Sequence, residues 1–515
     1  MNKKVQNSGL MLIGISLFGK IFGLAKQLLI AYIYGADQLT DIYFLADSGV
    51  SIFGVVAAGA ISISFLSNYS RNKSTDKEAN RYYITNTIMW SLIIATIVMV
   101  IVIVCAPLEA KILAPQYNSN NIKILIKYIR VLSFSVLFII ACGAEAAALE
   151  GENIFWVAKI QNVVLGISSI VFVLCFSNPW GVYAIIFGYL MGFFIHMLIA
   201  FCVLKKNKLL KLSKLKYNAN VKAFFFMIPP IVVGNAVVEI NNIIDKSIAS
   251  GLEVGAISAL YYGQIVSTEI VAAVLVNALG AVFLAKFSTL IKDGDIDKLN
   301  DNIKEIVNKY VVITVLLSLI YVFHGNVVVG IVYGKSRLAP NIVSETISVI
   351  RIYSLGFVFI PLRDIYMRIH YAFLDSKIPM FNCILQAIIN LVCSLIFVRF
   401  LGVSGIALGT TIAILCSVIL LKLTVKKYIG NYTYLDYKSL KSILIAMSAY
   451  ICISLVATII LHESLMTNLM ILIVSVGSYL TIAVLMKNKY LIGILNTTLE
   501  TCHNIIDRMV NKRRK

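Results

Sequence analysis

The chain has 515 residues, of which 59% are hydrophobic and only 14% charged. A soluble globular protein runs nearer ~45–50% apolar and ~25% charged, and a water-facing fold cannot hide such an excess, because most of its surface stays wet. The formal charge of +20 comes from 45 Lys and Arg against 25 Asp and Glu, but the basic residues cluster in short breaks between apolar runs, which reports membrane sidedness and not a nucleic-acid surface.

In chain order, apolar stretches fall near residues 9–34, 41–67, 83–106, 125–149, 157–177, 181–203, 223–249, 256–285, 307–324, 346–373, 380–400, 403–422, 440–461 and 465–486. Each is long enough, or nearly so, to cross ~30 Å of hydrocarbon at ~1.5 Å per residue. They are continuous runs, unlike the short alternating segments of an outer-membrane barrel. The expected fold is all-α and polytopic, with about fourteen transmembrane helices. The opening MNKKVQNSG leads into a run too long for a cleavable signal and without a small-residue cleavage site. The nine cysteines form no CxxC pair, and Cys105, Cys142, Cys175, Cys202, Cys393 and Cys416 lie inside apolar runs, as small buried hydrophobes would.

Charge sets the direction of the spans. With Lys3 and Lys4 inside, the even-numbered breaks are cytoplasmic and hold Arg71, Lys73, Lys77 and Arg81, then Lys205, Lys206, Lys208, Lys211, Lys214, Lys216 and Lys222. Later even breaks hold Lys292, Lys298 and Lys304, then Lys426, Lys427 and Lys438, and finally the tail NKRRK. The odd breaks at 35–40, 250–255 and 461–463 contain almost no basic residues. Such a bias places the chain in a bacterial cell (inner) membrane with both termini cytoplasmic.

The halves repeat one another. Lys205 and Lys206 close the sixth span as Lys426 and Lys427 close the twelfth, and the same spacing carries YIRVLSFSVLF from Tyr128 onto VIRIYSLGFVF from Val349. It also carries GVYAIIFG from Gly181 onto GVSGIALG from Gly402, and a slightly different spacing pairs Gly35 with Gly251. An even number of spans separates the copies, so the repeat is parallel, about an axis along the membrane normal. The expected organisation is an N-lobe over 1–204, a cytoplasmic interlobe linker over 205–222, a C-lobe over 223–430, two extra helices over 431–486 and a basic tail over 487–515. Two similar lobes around a cleft are the mechanical basis of alternating access. No filter-like loop suggests a channel, and no Walker or kinase motif or catalytic-sized soluble segment suggests an ATP-driven machine or an enzyme. No catalytic residue, metal ligand or cofactor is expected.

Charge inside a span costs at least ~2.5–3.5 kcal/mol at mid-membrane on insertion scales, so each such residue should face a wet interior. These residues are Lys20 and Lys26 in the first span, Asp41 and Asp47 in the second, and Glu145 in the fourth. The seventh holds Glu239, Asp245 and Lys246, the eighth Glu269, and the tenth Arg351, Arg363, Asp364, Arg368 and His370. Asp364 stands four residues before Arg368, a spacing that pairs them on one helix face, either as a structural tie or as part of a site. Asp245 and Lys246 lie near the outer end of their span, where they can snorkel. Basic groups lining a cleft suit a phosphate or pyrophosphate cargo. The carboxylates at Asp47, Glu145, Glu239, Asp245, Glu269 and Asp364 are instead candidates for gating, for coupling a monovalent cation or proton, or for binding cationic drugs.

Five stretches carry a family resemblance: KIFGLAKQLLIAYIYGADQLTDIYFLA from Lys20, ILAPQY from Ile112, INNIIDKSIASGLEVGAISALYYG from Ile240, RIHYAFLDSKIP from Arg368 and LGVSGIALGTT from Leu401. Over about residues 9–430 the chain resembles the MurJ/MviN branch of the multidrug/oligosaccharidyl-lipid/polysaccharide exporter superfamily. The resemblance implies fourteen helices, two lobes around a central cavity, and flipping of an undecaprenyl-pyrophosphate-linked glycan, lipid II of peptidoglycan first, from inner to outer leaflet. Membrane lipids and cell-wall synthesis proteins are the implied partners, with no nucleic acid. The family's first-helix basic residues fall on Lys20 and Lys26, its aspartate after the first loop on Asp41, and a tenth-helix basic position on Arg368; Arg363 lies one turn away. Gln27 replaces a carboxylate, IFGVV from Ile52 lacks a second-helix arginine, and Gln264 and Ser267 replace an eighth-helix arginine and acid. A capsular or exopolysaccharide repeat unit is therefore an alternative cargo. A cation-coupled multidrug exporter and a non-transporting scaffold of envelope synthesis are the alternatives in kind.

Overall fold

The computed structural model describes residues 3–211, 214–277, 283, 286–287, 290–291, 293–373, 375, 377–430, 434–460 and 464–496. Among these the chain is all helix: α1 (Lys3–Ile33), α2 (Gln38–Asn72), α3 (Lys77–Leu113), α4 (Ser119–Gly151), α5 (Trp156–Trp180), α6 (Tyr183–Lys206), α7 (Ala219–Ala249) and α8 (Ala256–Gln264). Then follow α9 (Ile296–Tyr333), α10 (Pro340–Leu355), α11 (Phe359–Ala372), α12 (Lys377–Leu401), α13 (Val403–Ile429), α14 (Tyr437–Ile460) and α15 (Leu465–Leu485). Ten of the helices are long and apolar enough to cross a membrane, and α10 with α11 makes an eleventh span. With α1, α7 and α8, which begin or lie where the first, seventh and eighth spans were placed, this agrees with the expected fourteen. The NKRRK tail, Lys292 and the break at 461–463 lie outside the described residues.

Three spans depart from their expected form. The tenth is broken between Leu355 and Phe359 with a bend of 43°. The eighth is regular only to Gln264 and continues as π-helical turns over Ile265–Glu269 and Ala272–Asn277. The third runs on to Leu113, carrying Glu109 into the helix. Hydropathy sees the hydrocarbon-crossing part, whereas the backbone ladder continues to a polar stop. Side-chain caps mark several of these ends: Asp37 accepts from the Thr40 amide, Asn118 from Asn121, Asn218 from Val221 and Asp295 from Lys298, each satisfying a donor the helix start leaves open. Among the described residues the cysteines are free, and of these only Cys142 is fully buried; Cys105, Cys175 and Cys202 are exposed on apolar helix faces that lipid would cover.

The chain forms two compact units. The first comprises residues up to Tyr262 with Lys335–Glu345 and Val398–Ile406. In it α2 packs chiefly against α4 and α7, α1 against α5, and α5 against α6. Small residues set these distances: a Cβ on Gly166 would come within 2.6 Å of Phe22 Cβ, and one on Gly188 within 2.9 Å of Ser169 Cα. The segment after α6 runs along α3, where the Asn86 amide donates to the Lys216 carbonyl at 2.8 Å and accepts its N–H at 3.1 Å. The second unit comprises the described residues of 263–334, 346–397 and 407–515. There α14 and α15 pack on each other and on α9. Buried His324 leaves helical geometry within α9 (φ −118°, ψ 27°), and its Nδ1 lies 2.9 Å from the Tyr450 hydroxyl of α14.

Two glycines that the sequence repeat aligns both have a positive φ. Gly181 between α5 and α6 has φ +53°, and Gly402 between α12 and α13 has φ +55°. Nothing lies within 4 Å of a Cβ built on either, so the requirement is conformational. Gly181→Ala or Gly402→Ala is expected to lower stability by about 1–2 kcal/mol, read as a fall in thermal midpoint in detergent. Gly477→Ala in α15, with open space around its Cβ and no positive φ, should cause no fall.

Candidate functional site

The α1–α2 corner turns at Gly35 (φ +69°) and is capped by Asp37. One turn into α2, buried Asp41 meets the start of α8: Oδ2 accepts the Gly255 amide at 2.7 Å, and Oδ1 accepts the Ser258 amide at 2.9 Å and its hydroxyl at 2.6 Å. A carboxylate is well placed there, because the first amides of a helix have no partner within it and carry its positive dipole end. Around the contact the backbones nearly touch. The Tyr262 hydroxyl donates to the Gly35 carbonyl at 3.0 Å, and the Arg337 amide to the Ala31 carbonyl at 3.2 Å. Gly255 (φ +95°) leaves room where a Cβ would sit 3.0 Å from the Ala36 carbonyl oxygen. The positive φ thus falls on Gly255 and not on Gly251, which the sequence pairs with Gly35.

Further along α2 lies a charge cluster. Lys246 of α7 is buried, its Nζ donates to Ser48 Oγ, and it sits 4.7 Å from the centre of the Tyr261 ring. Asp47 interacts electrostatically with both Lys246 and Lys26. Lys26 of α1 lies over the ring of Tyr189 at 5.7 Å, and the neighbouring Gln27 donates to the Tyr261 hydroxyl at 2.8 Å. Lys26 and Asp47 are half-buried. Two ammonium groups thus gather around Asp47 on a frame of tyrosines, an arrangement of donors that suits an anion.

The other sequence candidates fall elsewhere. Lys20 is exposed, two turns before buried Gln27 on the same stripe of α1, and is not gathered into the Lys26 cluster. Glu145 is buried in α4 with no hydrogen-bond partner on Oε2 among the described residues; Glu239 is half-buried, Asp245 buried and Glu269 exposed. In the second unit Arg368 pairs with Asp364 at 2.6 Å. Arg363 donates to Ser417 Oγ at 3.0 Å and to Cys383 Sγ at 3.3 Å. Arg351 is exposed, while His370 is buried with Nδ1 3.4 Å from Asp375. Asp375, in the turn after α11, is held below the usual carboxylate range chiefly by the Tyr428 hydroxyl, and then by the amides of Ile378 and Lys377.

Two readings from sequence need correcting. Lys246 does not snorkel; α2 and Tyr261 cover it, although it is only one turn from the end of α7. Glu109, placed outside the third span, is a helical residue whose buried Oε1 has no hydrogen-bond partner among the described residues and lies against Gly49. Ser48, Tyr189 and Tyr261 carried no signal of their own, being ordinary residues of apolar runs.

With this geometry in hand, the comparisons decide the family. The family model described as lipid II flippase MurJ matches residues 30–484. The chain belongs to this family. The "probable lipid II flippase MurJ" of Buchnera aphidicola subsp. Baizongia pistaciae is 27% identical over 417 residues, covering 78% of this chain and 79% of that protein. The protein of the same description from Borreliella burgdorferi is 22% identical over 433 residues, covering 81% and 83%. Among solved structures, lipid II flippase MurJ in an inward closed conformation superposes with a TM-score of 0.76 at 21% identity, over 92% of this chain and 98% of that one. An inward-facing multidrug resistance MATE family transporter superposes with a TM-score of 0.66 at 15% identity, over 82% and 98%. These likenesses establish the fold, shared between the MurJ and MATE branches.

The Asp41 contact can be tested on its own. Asp41→Ala strands the Gly255 and Ser258 amides, and should cost about 1–3 kcal/mol or more of stability, measured by thermal unfolding in detergent. An unchanged midpoint would show that the contact is not made.

Proposed function

We propose that the chain is a flippase that moves an undecaprenyl-pyrophosphate-linked cell-wall precursor, lipid II first, from the inner to the outer leaflet by alternating access. Membership of the MurJ family supports transport of a lipid-linked glycan, and the observation that carries the anionic cargo is the half-buried ammonium of Lys26 set on the Tyr189 ring near Asp47. An unaided pyrophosphate would pay a prohibitive desolvation cost in hydrocarbon. Lys26, joined by Lys20 at the opposite end of the stripe from Gln27, offers it charge while the polyprenyl tail stays in lipid. An ammonium group placed there disfavours a cationic drug, and a collapsed scaffold would have no need of half-buried lysine and aspartate. Arg363 and Arg368 are retained as candidate contacts for the headgroup.

The lysine-rich breaks face the cytoplasm in this reading, with both termini inside. The α1–α2 and α7–α8 corners then lie at the outer side, and the Asp41 contact with the start of α8 closes that side until it parts for release. Membrane potential contributes about 2.3 kcal/mol per charge per 100 mV to any step that carries net charge across. Carboxylates that lack a partner, such as Glu145, are the candidates for coupling a proton or monovalent cation.

The test is reconstitution in proteoliposomes with fluorescent lipid II, scored by a membrane-impermeant quencher. Wild type should flip lipid II, and Lys20→Gln with Lys26→Gln should slow it by about tenfold or more, while Lys26→Arg retains activity. Full activity of the double variant would overturn the proposed site. Transport of a capsular-type repeat unit in preference to lipid II would move the cargo to the alternative reading.

A further inference from the structure

The eighth span changes its backbone pattern at a defined place. It is α-helical over Ala256–Gln264 and opens into π-helical turns over Ile265–Glu269 and again over Ala272–Asn277. No proline lies in this stretch, so the commonest cause of a helix break is absent, and π turns of this kind frequently mark functional sites. Each π stretch has one carbonyl taken by a tyrosine of α9. The Tyr321 hydroxyl donates to the Val266 carbonyl at 2.5 Å, and the Tyr310 hydroxyl to the Leu275 carbonyl at 2.6 Å. The Ile270 amide, which in an α-helix would serve Val266, goes to the Ser267 carbonyl instead. Ser267 Oγ and Thr268 Oγ1 donate back to the carbonyls of Gly263 and Gln264, a bonding pattern that bends helices. Hydroxyl groups thus stand in for ladder amides, as hydrocarbon requires wherever a spanning helix opens. The two sides of the break have different holders. The start of α8 is tied to Asp41 through Gly255 and Ser258, whereas Val266 and Leu275 are tied to α9. The chain passes from the first compact unit to the second between Tyr262 and Gly263, just before the first wide turn.

We propose that the π turn over Ile265–Glu269 is the hinge of the eighth span, and that Tyr321 is the latch that holds this turn open. An α-helix advances by about 100° and about 1.5 Å per residue. When an amide of the helix reclaims the Val266 carbonyl, the wide turn closes into regular α-helix. Everything before it then rotates by about 100° and shifts by about 1.5 Å. Gly255 and Ser258 lie on that moving part, so their amides leave the Asp41 carboxylate. Hinge and corner contact are two ends of one lever, and release at either end favours release at the other. Tyr310 holds the second wide turn in the same way and keeps the remainder of the span on α9. This inference rests on the alternating-access reading above, in which the Asp41 contact parts for release.

The experiment is amide hydrogen exchange of the full chain in detergent, read by mass spectrometry on peptides covering 252–262 and 263–277, with thermal unfolding as a check of folding. Tyr321→Phe keeps the ring, whose centre lies 5.1 Å from that of Phe357, and removes only the hydroxyl. It should speed exchange over 263–277 by about threefold or more, and through the lever it should also speed exchange over 252–262. Faster exchange confined to 263–277 is what a merely local tie would give, and it overturns the hinge. Asp41→Asn should act in the opposite direction along the same lever, speeding exchange over 263–277 as well as at Gly255 and Ser258. Unchanged exchange over 263–277 in that variant overturns the proposal, and this arm decides if Tyr321→Phe does not fold. A wild type that flips no lipid-linked precursor in proteoliposomes overturns the transport reading and not the hinge, which the exchange pattern decides.

Discussion

A charged group inside a membrane protein has to be given either water or a partner, and that requirement organises this chain. A lone charge in hydrocarbon is costly enough that each one marks a place where other elements must gather. Asp41 gathers the start of α8, Arg368 is answered by Asp364 within the same helix, and Arg363 reaches Ser417 and Cys383 on neighbouring helices. The cluster around Asp47 differs because it gathers groups from three helices, with Lys26 of α1 and Lys246 of α7 both acting on the carboxylate of α2. A buried ion pair needs close matching to offset desolvation.

The corner contacts show how backbone economy serves the same end. Asp41 reaches the amides of Gly255 and Ser258 only because the adjoining turns come together at glycines with positive φ, Gly35 and Gly255. A side chain at either would meet a carbonyl of the neighbouring segment. The same convergence brings Phe44 and Tyr261 to a centroid distance of 4.2 Å, and Tyr261 in turn supports Lys246 and Gln27. Two turns of α2 thus connect a contact made by three hydrogen bonds to a cluster held mainly by charge.

How much of this was legible depends on the range of the interaction. Lys26, Asp41 and Asp47 stood out because a charge within an apolar run is anomalous wherever the run packs. Gly181 and Gly402 stood out because the sequence repeat aligns them between two helix pairs, and both take a positive φ. Ser48, Tyr189 and Tyr261 did not stand out, since each is an unremarkable residue of its own helix and acquires its role only from a neighbour on another. Lys246 was misread for the same reason: distance from a helix end is local, but burial depends on what covers that end.

The sequence by itself determined the class of the molecule, its helical spans and the tendency of its halves to repeat, because hydrophobic length and charge placement act within each segment. Only the tertiary structure decided that α2, α7 and α8 converge on Asp41, that Lys246 shares Asp47 with Lys26, and that the tenth span breaks between Leu355 and Phe359. These outcomes depend on which helices approach closely, and that is set by steric fit between distant residues, from glycine gaps to backbone corners, which no single segment encodes.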